Sequence, residues 1–280
     1  MKTIRAQLTD RVADPYPERP RAIGEGLLRV KHTERGSAIR DLRMSGCLKL
    51  LFGRARDRVE AIAINTSGGL TSGDRITLDA QVEAGSALSL TTQAAERAYR
   101  ADHGMATMRT RLTVADGACV HWLPQELIVF DGARLDRALQ CDLTGTARAL
   151  VVEPVLFGRA AMGEVVRDLA LSDRITVTRD GAPLMQDAIR LDGAAQAHLD
   201  RTAIAGGLRA MVTLIYVATD AEARLAWLQP RLPDTAGASM PARDVMVMRA
   251  LAPDSLHLRR FLVPVLDALT DDTLPISWRL

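Results

Sequence analysis

From about residue 22 to residue 218 the chain is cut into short alternating runs by closely spaced turn signals, and this cadence limits the fold more than any other feature. The punctuation is Gly73-Asp74, Ala84-Gly85, Asp116-Gly117, Asp131-Gly132, Gly145, Asp180-Gly181, Asp192-Gly193 and Gly206-Gly207. Within "RITLDAQVEAG", Ile76, Leu78, Ala80 and Val82 share one face, while Thr77, Asp79, Gln81 and Glu83 share the other. "RLTVADGACVHWL" reads as a hairpin closed by Asp116-Gly117. The pattern predicts mostly antiparallel pairing, and no repeat period of the solenoid or propeller kind stands out.

Helical signals come late. Thr219 and Glu222 have capping-box spacing ahead of "AEARLAWLQP", and Pro230 supplies a stop. A loop rich in Pro, Gly and Ser follows, then "ARDVMVMRAL" alternates like a strand. Asp254 or Ser255 is placed to cap a helix through "LHLRRFLVPVLDAL", which Pro264 should kink or shorten. The fold expected is mainly β: layered or β-helix-like sheets in one large domain over 22–280, with a small C-terminal helical excursion. Residues 1–21, with Pro15, Pro17 and Pro20 close together, read as a loose N-terminal arm.

Composition narrows the function. Of 280 residues, 48% are apolar and 25% charged, the balance of an ordinary globular protein. The formal charge is +2 and the arginines are dispersed, which argues against nucleic-acid binding. The basic residues are nearly all arginine, the cation favoured at protein interfaces. The apolar run 210–219 is about half the length of a membrane span, and the first residues lack a signal-peptide core. A cytoplasmic protein without membrane contact is expected. Cys47, Cys119 and Cys141 are far apart with no C-x-x-C pair, so they read as small buried hydrophobes rather than a disulfide or zinc framework.

"INTSGGLTSGDRI" (64–76) places Gly68 and Gly73 at the glycine spacing of a phosphate loop. That loop needs a lysine after its last glycine and must open a helix. Here Asp74 and Arg75 follow, then strand periodicity, so the nucleotide reading fails. The glycines instead supply positive φ or close backbone approach at a β-to-β crossing, with Asp74 capping the turn amides.

The five histidines are dispersed, with no H-x-H, H-E-x-x-H or close pairing with cysteine, and no preformed metal site is visible. Carboxylates beside glycine or proline turns are Asp74, Glu126, Asp131, Glu153 and Glu164. Two of them facing each other would suit a β-rich carbohydrate-active hydrolase. Read structurally, Glu126 and Glu153, beside prolines, belong at exposed strand ends. In "TTQAAERAYRA" (91–101) the Arg and Tyr side chains are typical interface anchors.

"GGLTSGDR" (68–75), "LTTQAAERAYR" (90–100), "WLPQELIVFDGARL" (122–135), "FGRAAMGE" (157–164) and "LPISWRL" (274–280), in that order, resemble the urease accessory protein UreD (UreH) family over roughly 22–280. The resemblance implies a non-enzymatic, mostly β scaffold with no tightly bound cofactor. Such a scaffold binds UreF, recruits the GTPase UreG through it, and docks on apo-urease as part of a hetero-oligomer. It implies transient nickel(II) at most, passed along an internal polar passage. Position by position it singles out Gly68, Gly69, Gly73 and Asp74; Thr91, Thr92, Arg97, Tyr99 and Arg100; Gln125 and Glu126; and Arg159 and Glu164. Asp74, Glu126 and Glu164 are the metal candidates. Arg97 stands where the family often has lysine, and Cys47 where it usually has proline.

Overall fold

A computed structural model describes residues 21–55, 57–159 and 162–279. Of the expected N-terminal arm, only Arg21 lies among the described residues.

The chain winds as a coil between two layers. Its strands are β1 (Ile23–Thr33), β2 (Gly36–Gly46), β3 (Leu48–Phe52), β4 (Val59–Asn65), β5 (Arg75–Val82), β6 (Ala87–Thr92), β7 (Glu96–Ala98), β8 (Ala106–Val114) and β9 (Cys119–Leu123). They continue with β10 (Leu127–Val129), β11 (Arg134–Leu143), β12 (Arg148–Phe157), β13 (Leu169–Arg179), β14 (Ala182–Gly193), β15 (Ala210–Val217), β16 (Ala236–Ala242) and β17 (Val245–Ala252). A seven-stranded sheet runs in the order β14-β13-β11-β8-β5-β1-β2. A ten-stranded sheet runs β16-β17-β15-β12-β9-β6-β4-β3, with β10 paired to β12 and β7 to β10.

The central pairs are parallel: β1, β5, β8, β11 and β13 in one layer, and β4, β6, β9 and β12 in the other. This corrects the antiparallel expectation, which holds only toward the two ends of the coil. The 107–123 segment is not a hairpin. Asp116-Gly117 carries the chain from β8 in one sheet to β9 in the other, and Gly117 supplies φ 69° there. Successive corners stack: the Gly85 amide donates to the Asp116 carbonyl, and the Gly145 amide donates to Asp180 Oδ1. The repeat was hidden because its steps are unequal, from Arg75 to Thr107 to Asp136 to Ser172.

Alternation sets what faces inward. In β5, Ile76, Leu78, Ala80 and Val82 are all buried between the layers, as read from the sequence. β12 is apolar on both faces because it is covered on both. Ala149 and Val151 join the inter-sheet core, while Leu150 and Val152 meet a second core beneath the helices. That second core is closed by α2 (Ala221–Leu228) and α3 (Ser255–Leu269); α1 (Ala195–Leu199) lies against the inter-sheet core.

Several local expectations shift. The N-cap of α2 is Asp220, not Thr219, and no side chain caps it; the Asp220 carboxylate accepts from Tyr216 and Arg224 instead. Pro230 does not end the segment at once, because it fits the start of a short 3₁₀ turn, Gln229–Arg231. The supposed loop before β17 contains β16, an edge strand with a register shift near its proline. Asp254 caps α3 by accepting from the His257 amide, and the helix runs through Pro264 to Leu269. Leu258, Leu262, Val265, Leu266 and Leu269 bury the face that holds it in place.

Candidate functional site

Each coil has a tight corner, the Gly85, Gly117 and Gly145 stack, and a wide corner on the opposite side. The wide corner gathers most of the sequence-selected residues from successive coils. The 66–74 loop, the 98–104 segment, the 130–133 turn and the 162–168 segment lie in backbone contact there: the Tyr99 amide donates to the Leu70 carbonyl (2.8 Å), the Phe130 amide to Ala98 (3.0 Å), and the Gly132 amide to Asp168 (2.7 Å).

Gly68, Gly69 and Gly73 adopt φ 81°, 147° and 74°. At Gly69 a side chain has no room, since a Cβ would sit 2.3 Å from Tyr99 Cε2 and 2.8 Å from the Arg97 carbonyl oxygen. Asp74 is 5% exposed and caps the turn. Its Oδ1 accepts from the Ala22 amide and its Oδ2 from the Thr71 amide, both at 2.8 Å. A strand follows, not a helix, as the failed phosphate-loop reading required.

Farther along this corner, Tyr99 donates to the Gly68 carbonyl (3.2 Å) and meets Phe130 edge to face at 5.0 Å. Arg159 stacks over Phe130 at 4.6 Å. Arg100 donates to Asp131 at 2.6 Å and Arg159 to Glu164 at 2.9 Å. Asp131 is held below the ordinary carboxylate range, chiefly by the Asp168 amide. Burial pushes Glu164 upward, but bonds from Arg159 and from the Asp131 and Arg159 amides outweigh it and leave it lowered. The Arg97 side chain is exposed.

Thr91, Thr92, Gln125 and Glu126 are elsewhere, under α3. Thr91 Oγ1 donates to the Leu123 carbonyl (2.7 Å), and Thr92 Oγ1 accepts from the Gln125 amide (2.8 Å). Glu126 is buried at 4% exposure, not at an exposed strand end. It accepts from Arg259 Nε (2.6 Å), Arg259 Nη2 (2.8 Å) and Ser255 Oγ (2.7 Å). Burial works to raise its pKa, but Arg259 and Ser255 prevail and lower it. Gln125 Oε1 accepts from Arg259 Nη2 as well. Arg259 also lies 5.1 Å from the Trp278 ring, whose Nε1 donates to the Leu123 carbonyl (2.9 Å). Gln125 and Glu126 clamp the helix to the coil through Arg259 and Ser255, and Thr91 and Thr92 hold the strand ends beneath them.

Glu153 likewise is interior, at 3% exposure. β11, β12 and β13 turn Arg137, Glu153 and Asp173 inward to one buried group, in which Arg137 meets both carboxylates at 2.5 Å. Trp122 Nε1 donates to Glu153 Oε1 at 2.7 Å. Burial raises Glu153 to about 7 against the pull of Arg137, with Asp173 adding to the rise. Trp122 also lines a partly open cavity of about 170 Å³ that reaches in between the sheets, with Asn65, Thr92 and Glu96 on its wall. Burial raises the Glu96 pKa, and Asn65 Nδ2 donates to both its oxygens at 3.2 Å. Sequence reasoning missed Arg137, Asp173 and Glu96. Inward polar positions in β11 and β13 were the only signal for the first two.

The oxygens of Asp74, Glu126 and Glu164 are all engaged by protein donors, and among the described residues no three His, Cys, Asp or Glu side chains cluster as a metal site. One pairing had escaped notice. Cys119 Sγ and His121 Nε2 are 3.5 Å apart because i and i+2 share a strand face. Of the cysteines only Cys141 is fully buried; Cys47 and Cys119 are half-buried. No helix among the described residues is long and apolar enough to cross a membrane.

A two-layered parallel β-coil with a wide arginine-bearing corner and a helix-clamped flank defines the class as a β-solenoid-like protein with an attached helical cap. The chain belongs to the UreD urease accessory protein family, whose model matches residues 23–278. It is 52% identical to the urease accessory protein UreD of Roseobacter denitrificans over 271 residues, covering 96% of this chain and 99% of that one. It is 48% identical to the protein of the same name from Ruegeria pomeroyi, covering 86% and 95%. The UreD of Xanthobacter autotrophicus is 39% identical, covering 99% of both.

Proposed function

We propose that this chain is a scaffold of urease maturation that binds UreF, brings UreG to apo-urease through it, and assists delivery of nickel(II) to the urease active site. The near full-length match to urease accessory relatives carries this reading. A hydrated divalent cation crossing a protein interior needs oxygen ligands or water-holding polar groups along its way. The lumen supplies a discontinuous series of them: Asn65 and Glu96 on the cavity wall, Trp122 beside it, then Glu153 and Asp173 about Arg137. Nickel is cargo on this reading, so no closed ligand shell is required. Asp74, Glu126 and Glu164 then serve the passage indirectly, by fixing the corner and the clamp around it.

Co-expression of urease subunits and the other accessory proteins, with and without this chain, is the test. Omission abolishes nickel-dependent urease activity, and a tagged copy retains UreF on a column. Intact activity without the chain, together with no UreF retention, overturns the reading. Glu153→Ala separates its parts: UreF is retained while nickel loading of urease falls.

A further inference from the structure

The wide corner holds an open cleft of about 490 Å³ whose wall includes Arg100, Arg159 and Arg167 against only two carboxylates, Asp131 and Glu164. Every oxygen of those carboxylates is already spent. Asp131 Oδ1 accepts from the Arg167 (2.7 Å) and Asp168 (2.9 Å) amides, and Oδ2 from Arg100 Nη2 (2.6 Å). Glu164 Oε1 accepts from the Asp131 amide (3.2 Å), and Oε2 from the Arg159 amide (3.0 Å) and Nε (2.9 Å).

The arginines are not spent. Arg100 uses one Nη and Arg159 its Nε alone, and the Arg167 side chain makes no hydrogen bond among the described residues. The side chains of Arg100 and Arg159 are 62% and 49% exposed. The acids therefore act as anchors that hold the guanidinium groups in place while their remaining N–H groups face solvent. Phe130 stiffens the arrangement from below, through Arg159 on its face and Tyr99 at its edge. Ordering long cationic side chains costs entropy on binding, and here part of that ordering is already done.

A guanidinium fork matches a carboxylate in geometry and charge. The rim is not polar throughout: Tyr99 is 38% exposed, and Met162 beside the cleft 74%. A small oxyanion has no use for such apolar contacts, whereas a polypeptide does, and Tyr and Arg are the residue types that dominate protein interfaces. We infer that this cleft docks an acidic segment of a partner protein, whose Asp or Glu side chains take the free N–H groups of Arg100, Arg159 and Arg167 while an apolar neighbour packs on Tyr99 and Met162. The inference rests on the scaffold reading and names the docking chemistry on this chain.

Fluorescence anisotropy of a labelled Glu-Glu-Phe-Glu-Glu peptide against the full chain tests it. Saturable binding is expected, weakened about tenfold by Arg167→Glu and by Arg159→Gln, and weakened by added salt. Arg167→Glu breaks no bond in the cleft, so its fold is checked by circular dichroism. Arg174→Gln, an exposed acid-paired arginine on the seven-stranded sheet, leaves binding unchanged. No binding, equal binding by Arg167→Glu, equal binding of a Lys-for-Glu peptide, or full displacement by millimolar inorganic phosphate overturns the proposal; the last assigns the cleft to a small oxyanion. Failure here with urease activation still dependent on the chain removes only the docking inference. Loss of that dependence removes the scaffold reading and leaves peptide binding as measured.

Discussion

The two corners of the coil solve the same problem, turning a strand into the opposite layer, at very different lengths. The tight corner does it in four residues, with a glycine at positive φ and single carboxylate acceptors, Asp116 for Thr146 and Asp180 for Gly145; a Cβ on Gly117 would find only the Gly85 amide, at 3.9 Å. The wide corner uses Gly69 against Tyr99, Asp74 across two amides, and two arginines, Arg100 and Arg159, held by Asp131 and Glu164. One corner is a short backbone turn fastened by aspartates that face the chain itself. The other is side-chain architecture presenting charge, and a binding surface belongs on the second kind.

Substitutions should expose that difference. Gly69→Ala is expected to cost about 2–4 kcal/mol, because backbone strain adds to a clash with Tyr99 and the Arg97 carbonyl. Gly117→Ala costs about 1 kcal/mol, from φ alone. Urea denaturation of the two variants measures both, and equal losses would erase the contrast between corners.

Asp74→Asn comes next, at about 1–2 kcal/mol, since an amide keeps one acceptor and leaves either the Ala22 or the Thr71 N–H facing an NH₂ group. Its counterpart Asp116→Asn loses less. There a single oxygen, Oδ1, takes both the Thr146 amide and hydroxyl at 2.7 Å, and asparagine can accept in the same way. The difference in melting temperature between these variants is the measurement.

The smallest effect is in pH dependence, where the corner acids Asp131 and Glu164 and the interior Glu153 pull in opposite directions. Asp131 and Glu164 have lowered pKa values, so their folded state binds fewer protons, and stability is lost as pH falls through and below the ordinary carboxylate range. Glu153 is raised, so its folded state binds more protons, and stability is lost as pH rises from the ordinary range to about 7. Melting temperature against pH should pass through a maximum. Glu153→Gln flattens the upper limb and Asp131→Asn the lower; a Glu153→Gln profile with the upper limb unchanged would place its proton elsewhere.

Turns were legible in the sequence and destinations were not. Asp116-Gly117 announces a reversal but says nothing about whether the next strand pairs with the last or crosses to another sheet, and that single ambiguity separated the expected hairpin from the coil. Asp74 was readable because its bonds to Thr71 and Ala22 are those of a turn cap. The Arg137, Glu153 and Asp173 group was not, because three residues spread over three strands meet only once the parallel register is known. Proline beside Glu126 and Glu153 pointed to exposure, and arginines from distant segments overruled it. β16 hid in "AGASMPA" because an edge strand at a bulge tolerates the proline that elsewhere signals a loop.

The unequal steps between coils have a consequence for how such a chain can drift. Adding or removing residues in the wide corner changes the length of the path without changing which residues of β5, β8, β11 and β13 stand side by side. One residue added at Gly117 would instead invert β9, sending Val120 and Trp122 to the outside and His121 and Leu123 inward. Within this chain the tight corners between β5 and β6, β8 and β9, and β11 and β12 are equally long, so the length differences between coils fall on the strands and on the side that carries the arginines, which is the side where the path can be lengthened without disturbing the register.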